Sequence, residues 1–194
     1  MAMAEPIEAT DAEQPVIEAI RCGDRYAFDE LVRRHHGWVR GAVYGVLGDR
    51  DGLDDVVQQV WTGFWQRIGE LREVNRWRAW LYRLARNAAL DAGRKSTRRK
   101  RIGDASLDTA SAPVAVGGER SGPDAAAASA ERGEVVLDAI RALPTLYREP
   151  FVLRHLNDWS YQQIAEVMDM PVDSVETRLV RARRLLRDML KDKV

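Results

Sequence analysis

The sequence predicts an all-α protein made of two small helical domains joined by a flexible linker. Three observations point there. Apolar residues recur with a period near 3.6 in both halves of the chain. A stretch of Ala, Ser, Gly, Asp and Pro with no aromatic residue, "GDASLDTASAPVAVGGERSGPDAAAASAE" (103–131), separates the halves. The second half then reads as a short helix, a tight turn and a longer helix. With 194 residues there is room for one medium domain or two small ones, and 45% hydrophobic with 31% charged residues suits a soluble helical chain. The expected divisions are an acidic tail (1–20), a first domain (21–101), the linker (102–131) and a C-terminal domain (132–194).

The tail carries Glu5, Glu8, Asp11 and Glu13 with no basic residue before Arg21, and disorder is expected there. It shows no basic-then-apolar signal pattern, and no apolar run in the chain reaches the roughly 20 residues of a membrane span. No membrane insertion and a cytoplasmic location are therefore expected. The lone Cys22 cannot form an internal disulfide and is expected to be a buried, inert thiol. The following segment, "DRYAFDELVRRHHGWVRGAVYGVLGD", supplies Phe28, Leu31, Val32, Val39, Val43 and Leu47 as core positions of two helices. Adjacent His35 and His36 point to different sides of a helix and lack a suitably spaced Cys, Asp or Glu, so no metal site is expected.

"DDVVQQVWTGFWQRI" (54–68) has its apolar residues at 56, 57, 60, 61, 64, 65 and 68, the wide buried stripe of a helix. Asp54, Asp55, Gln58, Gln59, Thr62 and Gln66 fall on the other side. That glutamine-rich face is either simply solvated or a docking surface for another helix.

"RWRAWLYRLARNAAL" (76–90) sets two tryptophans, a tyrosine and four arginines within eleven residues. Trp77, Leu81, Leu84 and Ala88 share an inward face. Arg76, Trp80, Arg83 and Asn87 share the adjacent one, and Tyr82 and Arg86 pair at i, i+4. Trp80 is either a half-buried ring under arginine stems or a platform for an unstacked base, with arginines on the flanking phosphates. The helix runs on into "GRKSTRRKR", where Arg94, Lys95, Arg98, Arg99, Lys100 and Arg101 extend a phosphate-binding track. The net charge of zero conceals this. Residues 1–75 carry −6 and residues 102–130 carry −3, while 76–101 carry +9, with ten bases against Asp91 alone.

In "WSYQQIAEVMDMPVDSVETRLVRARRLLRDML", Ser160 and Gln163 form a capping box that opens a helix with Tyr161, Ile164, Val167 and Met168 inward. "DMP" (169–171) is a turn, and Asp173 with Glu176 resembles a second capping box. Val175, Leu179, Ala182 and Leu186 make the buried stripe of the next helix. Ser174, Thr177, Arg178, Arg181 and Arg184 face outward. That succession matches the DNA-reading helix-turn-helix, the alternative being an ordinary helical hairpin with a solvated arginine face.

Together "LDDVVQQVWTGFWQRI", "RWRAWLYRLARNAALDAGRK", a polar linker and "LPTLYREPFVLRHLNDWSYQQIAEVMDMPVDSVETRLVRARRLL" strongly resemble the extracytoplasmic-function sigma factors of bacteria, over about residues 22–101 and 132–190. The resemblance implies two domains, region 2 and region 4, on a flexible linker. It implies that Asp54, Asp55, Gln58, Gln59, Thr62 and Gln66 dock on the clamp helices of the largest subunit of core RNA polymerase. Asn75, Arg76, Trp80, Arg83, Asn87, Arg94 and Lys95 would meet the −10 element, with Asn75 in the loop that forms the flipped-base pocket. Ser174, Glu176, Thr177, Arg178, Arg181 and Arg184 would face the −35 element. An anti-sigma factor is an expected partner beside the polymerase and promoter DNA.

The chain departs from the family pattern in four places. Gln59 stands where a glutamate is common, and Glu176 where Lys or Arg is common. Glu176 is left either to cap its helix or to accept a hydrogen bond from a cytosine amino group. Asp169 replaces a turn glycine, tolerable because Asp enters the left-handed region more readily than most residues. Arg83 and Leu84 stand where primary sigma factors carry a tryptophan wedge, which implies stronger dependence on a well-matched promoter.

No nucleophile–base pair, metal cluster or phosphate-cradling glycine loop appears, so neither catalysis nor a cofactor is expected. Two other functions compete: a helix-turn-helix regulator that binds duplex DNA without polymerase, and a module whose basic segment contacts only an acidic protein.

Overall fold

A computed structural model describes residues 13–102 and 123–191, all-helical with no strand among the described residues. The helices are α1 (Gln14–Arg21), α2 (Arg25–Leu47), α3 (Leu53–Arg67), α4 (Trp77–Ile102), α5 (Pro123–Ala142), α6 (Thr145–His155), α7 (Tyr161–Met168) and α8 (Val172–Leu190). Two short 3-10 turns, Ile68–Glu70 and Val74–Arg76, lead from α3 into α4.

The first module packs α1 to α4 around fully buried Trp77, Phe64, Leu31, Leu53 and Leu81. Phe28 anchors α2 on α3, its ring 5.0–6.3 Å from those of Trp61, Phe64 and Trp65. The segment expected to hold two helices is the single 23-residue α2. Asp24 caps it by accepting from the Ala27 amide at 3.1 Å. Its three internal glycines each cost about 1 kcal/mol of helix propensity, less than burial of Trp38, Val39, Val43 and Val46 returns. The helix stops at Gly48, whose φ of 69° lets its amide close on the Tyr44 carbonyl.

Part of the acidic tail is ordered, contrary to expectation. Glu13 and α1 pack on the module, with Ile17 and Ile20 out of solvent; Glu5, Glu8 and Asp11 lie outside the described residues. Cys22, expected to be buried, is exposed just past the end of α1. The expected linker is shorter on its C-terminal side, because α5 begins at Pro123 in an alanine-rich run that favours helix. Residues 103–122 lie outside the described residues.

The second module closes on Leu143, Val152, Leu153, Ile164, Val175 and Leu179. Ser160 and Gln163 make the expected capping box in both directions. Asp169 takes φ 52° at the turn, as its tolerance of that region allows. The second capping box is not formed. Pro171 is the N-cap of α8 and no side chain caps it. Helix geometry has already begun at Val172, so Asp173 sits inside the first turn, where its charge favours the helix dipole.

The two modules lie against each other, α6 on α2 and α7 on α4. A Cβ on Gly45 would come 3.2 Å from the Glu149 backbone, and one on Gly48 would meet the Arg148 guanidinium. Those glycines are the slot through which α6 reaches α2. Buried Arg148 fills it, donating to the last carbonyls of α2 at Gly45 (2.8 Å) and Val46 (2.9 Å), where the helix dipole is negative. Arg141 pairs with Asp49 at 2.8 Å, and the Trp38 and Trp159 rings meet at 5.0 Å.

Candidate nucleic-acid interface

Helix α3 presents Asp54, Asp55, Gln58, Gln59, Thr62 and Gln66 to solvent, as its period requires. All but Asp54, with Gly63, line one open depression. Thr62 turns its hydroxyl onto the Gln58 carbonyl at 2.9 Å, and Arg40 donates to Asp54 at 2.9 Å. What remains is a shallow surface of exposed amides edged by carboxylates.

At the start of α4 the second 3-10 turn exposes Asn75 and Arg76, and the helix continues the line with exposed Arg83, Asn87, Arg94 and Lys95. Arg94 makes only a 3.3 Å surface pair with Asp91, an interaction of little energetic weight. The side chains of Arg98 to Arg101 lie outside the described residues. Trp80 is half-buried with its ring 5.5 Å from that of Phe64, so part of it is core and part faces out.

Arg78, on the same helix, belongs to a buried network that the sequence did not disclose. It donates to Glu13 at 2.8 Å and lies 5.3 Å over the Trp77 ring. The other Glu13 oxygen meets His35 Nε2 at 2.6 Å. Trp38 donates to His35 Nδ1 at 3.0 Å, which leaves the ring proton on the nitrogen facing Glu13. Thus His35 does have an acidic partner, from 22 residues upstream. Burial alone would raise the Glu13 carboxyl. Hydrogen bonding from His35, with the charge and hydrogen bond of Arg78, outweighs it and holds the group below the usual carboxylate value.

Along α8, Glu176, Thr177, Arg181 and Arg184 are exposed, while Ser174 and Arg178 are half-buried. Arg178 stands close enough to α4 for its charge to bear on the Tyr82 hydroxyl. Sequence reasoning also missed what Tyr82 and Arg86 do. The Tyr82 hydroxyl donates to Glu149 at 2.6 Å, and Arg86 Nε donates to the same oxygen at 2.9 Å. Burial, then the Glu149 charge, pushes the Tyr82 hydroxyl well above its ordinary range. The available signals were Gly41 and Gly45 one turn apart, with Gly48 just after them, and a charged pair, Arg148–Glu149, beside Pro150 in an otherwise apolar segment.

Residues 31–99 match the family described as Sigma-70 region 2, and residues 133–186 match Sigma-70, region 4. A two-module helical protein with these parts in this order is of the sigma-70 class. A sigma-E factor of Haemophilus influenzae is 31% identical over 182 residues, covering 92% of this chain and 95% of that protein. The SigW factor of Bacillus subtilis is 29% identical, covering 91% and 95%. Among solved structures, CnrH in complex with the cytosolic domain of CnrY aligns with a TM-score of 0.67 at 26% identity, covering 94% of this chain and 99% of that one. The sigma factor RpoE of Bartonella quintana in complex with the anti-sigma factor NepR has a TM-score of 0.63 at 21% identity, covering 84% and 96%, and shares the fold. The chain belongs to the ECF RNA polymerase sigma factors. The family spans both modules, so a regulator with only a helix-turn-helix in common is not favoured.

Proposed function

We propose that this chain is a promoter-specificity subunit that joins core RNA polymerase through the α3 face, meets the −10 element with α4 and the −35 element with α8, and catalyses nothing itself. The observation that carries this reading is the exposed line from Asn75 and Arg76 through Arg83 and Asn87 to Arg94 and Lys95, beside the outward edge of Trp80. Cations in that line hold phosphates. Stacking adds roughly 1–3 kcal/mol per base, enough for a few contacts to offset the unpairing of a few base pairs. On α3, Asp54, Asp55, Gln58, Gln59, Thr62 and Gln66 offer hydrogen-bonding groups to a partner helix of the polymerase clamp. On α8, Arg178, Arg181 and Arg184 reach for phosphates and guanines, with Ser174 and Thr177 at their side. Because no side chain caps α8, Glu176 is free to accept from a cytosine amino group. Such a subunit works in the cytoplasm. Two related folds were solved with CnrY and with the anti-sigma factor NepR, which supports an anti-sigma factor as this chain's partner.

The test is run-off transcription with purified core polymerase on a library of promoter fragments. Asn75→Ala and Arg83→Ala serve better than Trp80→Ala alone, since both residues are exposed while Trp80 also packs on Phe64. Core-dependent transcripts that fall with these substitutions at unchanged melting temperature are expected. Duplex binding without core, and no transcripts with it, would overturn the reading.

A further inference from the structure

We infer that the Tyr82 hydroxyl and the Arg86 guanidinium form a phosphate-binding site for promoter DNA, which Glu149 of the second module occupies whenever the two modules are closed. The inference rests on the reading of α4 as the helix that meets DNA.

The geometry is that of an anion site already filled. One Glu149 oxygen accepts from both Tyr82 (2.6 Å) and Arg86 Nε (2.9 Å), and the other lies 3.4 Å from Arg86 Nη2. A phosphodiester offers the same two acceptor oxygens on one centre, and planar guanidinium recognises both anions by the same fork. The site lies one turn from Arg83 and next to Asn87, on the helix that carries the −10 line. In the closed state the charge of Arg178 on α8 also bears on Tyr82; Arg86 is the cation that stays beside Tyr82 on α4 when the second module leaves. Arg86 remains partly accessible at its side chain, 42%, whereas Glu149 shows 4%. The cation is therefore available to solvent once the carboxylate withdraws.

The two occupants exclude each other. With Glu149 in place, Arg86 is neutralised and α7 lies along α4, so DNA reaching this part of α4 must displace the second module. DNA and the second module thus compete for one cation and one hydroxyl. Opening exposes the site, and a phosphate in the site keeps the modules apart.

The test uses the full chain without core polymerase and a fluorescein-labelled oligothymidylate strand, followed by anisotropy across a salt series. Glu149→Gln keeps the side chain's size but removes the competing charge. It is expected to bind the strand about tenfold tighter than wild type, the loss of one charge-assisted contact. Arg86→Ala should bind more weakly and lower the log–log salt slope by about one. The double variant should lose the gain of Glu149→Gln. Tyr82→Phe, which keeps the ring in place, should cancel part of that gain. A double variant that retains the full gain would overturn the assignment, since Glu149 would then act by general opening. No gain in Glu149→Gln, in a chain shown to be folded by its melting curve, would overturn it too. Run-off transcription by the wild type decides the underlying reading separately. Transcripts without any Glu149 effect sink only the phosphate site, and no transcripts sink the parent reading.

Discussion

Glu13 shows how one residue fixes the direction of a helix. Its carboxylate joins α1 to α2 through His35 and to α4 through Arg78, immediately behind the turn that carries Asn75. A buried pair that loses one partner leaves an uncompensated charge, so Glu13→Ala should cost about 3 kcal/mol in urea unfolding. The pH dependence follows from the lowered carboxyl. The unfolded chain binds the proton more readily, so Glu13's contribution is complete above an ordinary glutamate's pKa. It is lost as pH falls through the depressed folded value. In Glu13→Gln the acid limb of the stability curve should flatten, and an unchanged limb would show that other carboxylates govern it. Glu176 makes the opposite case, an exposed residue to which the proposed function gives a part in base specificity. Glu176→Lys exchanges an acceptor for a phosphate contact. Transcription from promoters with each −35 base varied should then discriminate less at one position while tolerating salt less well.

At the scale of elements, what was legible in the sequence was whatever depends on neighbours within a helical turn or two. The stripes of α3 and α8, the capping box at Ser160, the turn at Asp169 and the inward Trp77 are all local patterns, and each stands where its period put it. The failures are long-range. Nothing near Glu13 announces His35 or Arg78, so its helix looked like part of a tail. Nothing near Glu149 announces Tyr82. The second capping box failed for a local reason, since Pro171 started α8 before Asp173 could cap it. The glycines of α2 belong to the same lesson. The segment that holds them was expected to be two helices and is one, and Gly45 among them seats α6, brought against the Glu149 backbone. Gly45→Val tests this, because Val is the better helix former yet its side chain meets backbone that cannot rotate away. The variant should keep its helix content by circular dichroism and expand in small-angle X-ray scattering as α6 leaves the slot. An unchanged radius of gyration would mean that α6 tolerates the added bulk and that the glycines are incidental.

For the molecule as a whole, the seam between modules combines strong contacts with unfinished ones. Arg148 saturates the end of α2, but Asn157 buries its amide nitrogen with no partner beside Gly41, and such an orphan costs about 1–3 kcal/mol. An interface with that defect is suited to opening rather than to permanence. Opening is also what the proposed function demands, since on that reading α4 and α8 each meet DNA and α7 lies along α4 in the closed state. The intervening residues keep the second module at high effective concentration, so closure is restored without a second encounter. Cys22 offers a direct way to watch this, being the only cysteine and exposed. Val180 provides a second site at 53% exposure on α8. With dyes on Cys22 and Val180→Cys, single-molecule energy transfer should show one closed population in the free chain and a shift to low transfer when core polymerase is added. Glu149→Gln should populate the low-transfer state before core is present, and Gly45→Val more so. Equal transfer in all three free proteins would mean that the seam does not control opening, and the polymerase alone would have to part the modules.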